Sequence, residues 1–347
     1  MNSINKESDT MTKNIIITKF LEGKISFQKF DKYYAMKARN RQNDLIKPQG
    51  SLGKLEQYAI WMSGWQKKLK PTLKNSKCLV FAGNHGVAKK KVSAYPSEVT
   101  EQMVKNYRNG SGAINQLCTL AEISLSVIPI NLDNPTKDFS QARAMSYNET
   151  LSAMQIGFDS VSKKYDLLIL GEMGISNTSS ATAIACSLFK GSPEKWTGYG
   201  TGISELKLKN KISVIKNALK LHGTRFDCVL KILSSFGGRE IAAIVGSVIA
   251  ARIKGIPVLL DGYISTVSAA TLTLFKKDIL DHCLISHLSP EPAHKHVVKY
   301  LKKNPILDLD MRLGEASGGA VAALILKAAL ETHNKMLTFS EAGVTKK

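Results

Sequence analysis

A chain of 347 residues, 44% hydrophobic and 22% charged, is long enough to bury one large core, or a large one plus a smaller one. Its formal charge of +20 comes from lysines scattered along the chain ("QKKLK", "AKKKV", "ELKLKNK", "LFKKD", "LKKNP"). With little aromatic interleaving, they mark solvated helix faces and a basic field suited to a small anion, not a nucleic-acid groove.

In chain order, residues 15–70 read as helices: "ITKFLEGKISFQKFDKYYAMKARN", a break at "KPQGSLG", then "KLEQYAIWMSGWQKKL". The N-terminus, "MNSINKESDTMTKNIIITKF", has no apolar run of the kind a signal peptide needs. From Cys78 the texture changes. Short apolar runs, each closed by a polar or Gly-rich loop and followed by a helical pattern, appear at "CLVFAGNHG", "LSVIPINLD", "DLLILGEMG", "IPVLLDGYIS" and "CLISHLS". Buried strands alternating with helices predict an α/β domain built on a parallel sheet. The most apolar window, "IAAIVGSVIAARIKGIPVLL", carries Arg252, Lys254 and Pro257, so it reads as a buried helix, a Gly turn and a strand instead of a membrane span. Five cysteines without a C-x-x-C pair read as reduced core thiols of a cytoplasmic protein. The expected division is a helical part over 1–75, the parallel α/β domain over 76–309, and a loop with a returning C-terminal helix over 310–347.

In an open parallel sheet, ligands bind at the carboxyl ends of the strands. "AGNHG", "GEMGISNT", "DGYIS" and "SHLSPE" all stand at predicted strand ends, so independent motifs converge on one sheet edge. "GEMGISNTSSATAI" leaves a strand through two glycines into a helix capped by Ser176, Asn177 or Thr178: an anion cradle, or a plain capped turn. "TGYGTGIS" spaces Gly198, Gly200 and Gly202 without a preceding strand, which disfavours a dinucleotide fingerprint and leaves a phosphate- or sugar-contacting loop, or a linker. "VLLDGYIST" offers a single acid, Asp261, and lacks the Thr-Gly-Gly element of loops that hold magnesium and phosphoribosyl pyrophosphate. His85 and His287 lie in edge loops without partners at metal-ligand spacing, and His294 and His296 are two apart on a predicted helix. No metal or cofactor is expected. "DMRLGEASGGA" sets Glu315 just ahead of the apolar run "VAALILKAAL". That carboxylate is either a first-turn helix charge, with Ser317 as N-cap, or a base placed for chemistry.

Taken together, "KPQGSLG", "AGNHGVAKKKVSAYPSEVT", "GEMGISNT", "GYGTG", "GGREIAAIVG", "LDGYIST", "SHLSPEPAH" and "DMRLGEASGGA" follow one another as in the nicotinate-nucleotide–dimethylbenzimidazole phosphoribosyltransferases. The chain resembles that family from about Lys47 to about Leu330. The resemblance implies a Rossmann-like open parallel sheet with helices on both faces, a smaller helical domain from the terminal segments, and a homodimer. It implies transfer of the phosphoribosyl group of nicotinate mononucleotide to 5,6-dimethylbenzimidazole, with inversion at the anomeric carbon. By motif match, Glu315 would be the general base. Glu172, Gly174, Ile175, Ser176, Asn177, Thr178, Gly200, Thr201, Gly202, Lys211, Ser289, Leu313 and Gly314 would bind the nucleotide and its phosphate. Ser93 and Gln102, with Glu315, would line the acceptor pocket. The chain departs from the family pattern at Asn84, Ser176, Tyr199, Leu288 and Ala316. The alternatives are a related enzyme acting on another base or a phenolic acceptor, and a nucleotide-binding paralogue with weakened catalysis.

Overall fold

The computed structural model describes residues 15–345, so the signal-peptide reading lies, over residues 1–14, outside the described residues. The first helix, α1 (Ile15–Leu21), stops at Gly23, whose φ of +74° breaks the turn. Helix α2 (Lys32–Asp44) starts only at Asp31, whose carboxylate accepts the amides of Tyr33 and Tyr34 at 3.0 and 3.2 Å. The uniform helical pattern read over 17–40 is therefore two helices around an irregular link. Helix α3 (Lys54–Gln66) follows the expected break at "KPQGSLG".

The five apolar runs all form strands: β1 (Ser76–Ala82), β2 (Ser124–Pro129), β3 (Leu167–Met173), β4 (Val258–Leu260) and β5 (Cys283–Ile285). Between β1 and β2 lie α4 (Glu98–Arg108) and α5 (Ala113–Ala121), and α6 (Tyr147–Asp159) leads into β3. Helices α7 (Asn177–Phe189), α8 (Pro193–Trp196), α9 (Glu205–His222), α10 (Val229–Phe236) and α11 (Arg239–Lys254) intervene before β4. Helix α12 (Tyr263–Ala270) precedes β5, and α13 (Pro292–Tyr300) and α14 (Ser317–Lys335) follow it.

All strand pairs are parallel, in the order β2-β1-β3-β4-β5. Alternate residues feed opposite cores, as the strand period of two demands. Leu79, Phe81, Leu168, Leu170, Val258 and Leu260 pack under α6, α7 and α11. Cys78, Val80, Ile169 and Leu259 pack under Ala320, Ala323 and Leu326 of α14. Both faces are covered, which explains why the strands read as unbroken apolar runs. The window 241–260 resolves into α11, a turn at Gly255 (φ +74°) and β4. Among the described residues no helix is long and apolar enough to cross a membrane.

Helix α14 runs from the sheet edge to the terminal helices. Arg41 of α2 donates from Nε to the His333 carbonyl (2.9 Å) and from Nη2 to that of Met336 (3.0 Å), fixing the far end of α14. Because every strand points the same way, the loops after β1, β3, β4 and β5 and the entry to α14 meet on one edge.

Candidate active site

On that edge lies a cavity of about 490 Å³, lined by the loop after β3, the 199–201 loop, the start of α12, the 287–291 segment and the turn before α14. It is of a size that encloses a small organic ligand. Glu172, Gly174, Ile175, Asn177, Thr178, Gly200, Thr201, Ser289, Leu313, Gly314 and Glu315 all line it, so most of the expected residues converge.

Glu315 sits in an unusual turn. Gly314, Glu315 and Ala316 have φ of +82°, +62° and +64°, three left-handed residues in succession. Ala316 occupies the N-cap position of α14 and Ser317 is the first helical residue, so the expected Ser317 cap is displaced by one residue. The Ala316 side chain gives no cap hydrogen bond. A carboxylate from elsewhere takes that role: Asp261, one residue past β4, accepts the amide of Ala316 at Oδ2 (3.2 Å) and that of Gly319 at Oδ1 (2.9 Å). The amides of Ala316 and Gly319 at the entry to α14 thus already face a carboxylate. Glu315 donates its own amide to the Glu172 carbonyl at 3.2 Å. Burial pushes its carboxyl above the ordinary value, and the nearby Tyr107 hydroxyl pulls the other way.

Close approach explains two glycines. A Cβ at Gly171 on β3 would lie 2.2 Å from the Ala316 nitrogen, and one at Gly318 would lie 1.9 Å from His287 Nδ1. The turn before α14 is pressed onto the sheet from both sides.

Four carboxyl groups line the cavity, Glu172, Asp261, Glu291 and Glu315, of which Glu291 accepts the Gly200 amide at 2.9 Å. Burial, reinforced by Glu240, Asp261 and Glu315, pushes Glu172 up to about 8, although Asn177 Nδ2 donates to it. Burial likewise pushes Asp261 up to about 7 against the pull of its backbone donors. Behind Gly174, His85 Nε2 pairs with the fully buried Glu240 at 2.6 Å. Carboxyls raised in this way can take up and release protons near neutral pH. The amino end of α7 also lines the cavity, through Ile175, Asn177 and Thr178, and Arg312 brings a guanidinium. Its N-cap, Ser176, is left-handed (φ +80°) and makes no side-chain cap, so the helix end is shaped by the backbone alone. That helix end suits an anion.

Five expected residues take other places; one is Ser176, the N-cap just described, which does not line the cavity. Lys211 is fully buried, its Nζ donating to Thr178 Oγ1 (2.9 Å) and the Gly198 carbonyl (3.0 Å), with burial lowering its pKa to about 8. It braces the Gly-rich loop and does not line the cavity. Gly202 (φ +92°) turns that loop without reaching the wall. Ser93 meets the loop from outside, its Oγ 3.0 Å from Thr201 Oγ1. Gln102 is exposed, because the face of α4 toward the cavity is the i, i+4 pair Val99 and Met103. Sequence reasoning missed those two, along with Tyr95, Glu291 and Arg312; the phase of α4 could have pointed to Val99 and Met103. Asn84 faces away, its Nδ2 donating to the Leu132 carbonyl (3.0 Å), a bond an aspartate could not give.

His294 is committed to Ser289 N (2.9 Å), and His296 stacks on Trp196. Among the described residues no cluster of three His, Cys, Asp or Glu side chains has the arrangement of a metal site.

A family model described as "Phosphoribosyltransferase" matches residues 27–344. The chain is 49% identical over 308 residues to a nicotinate-nucleotide–dimethylbenzimidazole phosphoribosyltransferase of Mesorhizobium japonicum, covering 89% of this chain and 92% of that one. It is 50% identical over 308 residues to the protein of the same name from Methylorubrum extorquens, covering 88% and 90%. The crystal structure of CobT from Thermus thermophilus superposes with a TM-score of 0.83 at 33% identity, covering 91% of this chain and all of that one.

Proposed function

The chain belongs to the nicotinate-nucleotide–dimethylbenzimidazole phosphoribosyltransferase family, and from that premise we propose that it moves the phosphoribosyl group of nicotinate mononucleotide onto 5,6-dimethylbenzimidazole. The products are α-ribazole 5′-phosphate and nicotinate. The donor brings its own leaving group, since its cationic pyridinium departs as a neutral ring with the electron pair of the broken C1′–N bond. The unprotonated benzimidazole nitrogen attacks C1′ from the opposite face, so β becomes α. Its other N–H goes to Glu315, which keeps the product ring neutral.

The single observation that carries this reading is Glu315: a buried carboxyl on the cavity wall, raised by burial, in the same cavity as the amino end of α7. The α7 end and Arg312 would hold the 5′-phosphate. The donor's cationic ring beside that wall would draw its carboxyls toward their ionised form. Holding both reactants in one cavity supplies much of the acceleration. We also read the enzyme as a cytoplasmic homodimer. Tyr95 (55% exposed) and Leu313 (56%) leave an apolar rim at the cavity mouth in support of a second copy.

The test is incubation with nicotinate mononucleotide and a panel of acceptors, with released nicotinate and the ribosylated product quantified by chromatography. Nicotinate release that depends on 5,6-dimethylbenzimidazole, with an α-configured product, supports the reading. Release with a different base or a phenol alone would reassign the acceptor, and no release with any would sink it.

A further inference from the structure

We infer that Asp261 is a positioning residue for this reaction: its buried carboxylate holds the left-handed Gly314–Ala316 turn in the shape that presents Glu315 to the acceptor. This rests on Glu315 being the base.

The two oxygens of Asp261 are spent on the same turn, one on the amide just after Glu315 and one three residues further on, at Gly319. Asp261 is only 1% exposed. Its own backbone is tied to the sheet on both sides: its amide donates to the Leu170 carbonyl (3.1 Å), and its carbonyl accepts from His287 (3.3 Å). The clamp is therefore fixed to three strand ends before it touches the turn. His287 stands behind it, Nδ1 3.7 Å from Asp261 Oδ1 and packed against Gly262 and Gly318.

A turn of this kind needs such a clamp. Left-handed backbone costs an L-residue with a Cβ free energy, and Glu315 and Ala316 adopt it in succession. Strained backbone of that sort persists only where its surroundings over-determine it. Ala316 lacks a side chain that could cap α14, so without Asp261 its amide and that of Gly319 would face the interior unpaired. The lone acid of "LDGYIST" thus has work that does not involve a diphosphate: it shapes the loop that carries the base.

The experiment compares kcat and KM for four variants and their combinations on nicotinate mononucleotide and 5,6-dimethylbenzimidazole, with Tm measured for each. Asp261→Asn puts an N–H donor against a backbone N–H. We expect kcat to fall about 100-fold, the cost of misplacing a reacting group by about 1 Å, with KM for the donor within about threefold of the parent. Added to Glu315→Gln, Asp261→Asn should cost less than about threefold more, because a residue acting through Glu315 has nothing left to position. Added to Ala316→Gly, which relieves the strain, its penalty should shrink to about tenfold. Parental kcat in Asp261→Asn, a loss confined to KM, or losses that multiply independently with Glu315→Gln would each overturn the inference. Parental kcat in Glu315→Gln would instead overturn the assignment of the base, and this inference with it. Should Asp261→Asn fail to fold, Asp261→Glu decides: a kcat loss that Ala316→Gly partly rescues supports the clamp, and parental kcat overturns it.

Discussion

Two of the helices at the cavity, α7 and α14, begin behind a left-handed residue that gives no side-chain cap, Ser176 in one and Ala316 in the other. There the likeness ends. The entry to α7 opens into the cavity with Thr178 and Arg312 beside it, whereas the entry to α14 is stoppered by the Asp261 carboxylate. We read the first helix end as the one left to attract an anion. The other is neutralised by a neighbour so that the carboxylate ahead of it, Glu315, is not drawn onto its own helix. On the proposed reading, the same local device serves ligand binding or base presentation according to what a distant strand supplies.

The largest break in this comparison comes from Glu315→Gln. The amide preserves shape and can still accept the ring N–H but cannot take the proton, so kcat should fall by roughly two to four orders of magnitude at saturating substrates. Were Glu315 only a helix-end charge, the change would cost a few tenths of a kcal/mol and leave the rate near parental. Steady-state kinetics separates the two.

Arg312→Ala probes the other side. Losing a guanidinium beside the α7 end should raise KM for nicotinate mononucleotide by about tenfold or more and lower kcat far less. A fall in kcat with unchanged KM would place the phosphate elsewhere.

Glu172 gives a pH signature. Its folded pKa of about 8 lies above the ordinary 4.5, first because of burial and then because Glu240, Asp261 and Glu315 repel its charge, with Asn177 opposing. Between those values the folded chain holds a proton that the unfolded chain releases, so this group's contribution to stability is present below about pH 4.5 and is lost as pH rises toward 8. Glu172→Gln removes that loss. The Tm of the variant minus that of the parent should increase between pH 5 and pH 8; a constant difference would mean the carboxyl titrates normally.

The smallest effect is expected from Ala316→Gly. Relief of left-handed strain and the added freedom of the unfolded chain oppose each other, so stability should change by no more than about 1 kcal/mol. Turnover should rise or stay level with donor KM unchanged. A large loss of activity would show that the turn depends on the alanine methyl.

Much of this arrangement was legible beforehand, and the reasons are physical. Strands buried on both faces leave continuous apolar runs, so all five could be read, and parallel topology then sends their loops to one edge. Tertiary contacts were not legible. Nothing in "LDGYIST" says that Asp261 reaches two amides 55 and 58 residues away. Lys211 matched a motif position, yet burial turned it toward Thr178 and Gly198. Gln102 stands outside the lining for a smaller reason: without the phase of α4, its exposed side could not be told from the face that carries Val99 and Met103. The link over 22–31 was missed because the Asp31 cap sits inside a sequence that otherwise permits helix.

Helix α14 is also a lever. Its 19 residues span about 28 Å, from the turn holding Glu315 to the carbonyls gripped by Arg41. If the rod pivots at its gripped end, a tilt of about 2° carries the carboxylate about 1 Å, enough to cost two orders of magnitude in rate. Substitutions around Arg41, far from any substrate, would then act on the chemistry through leverage, and a mutational scan for activity should mark that remote end of the rod as well as the cavity.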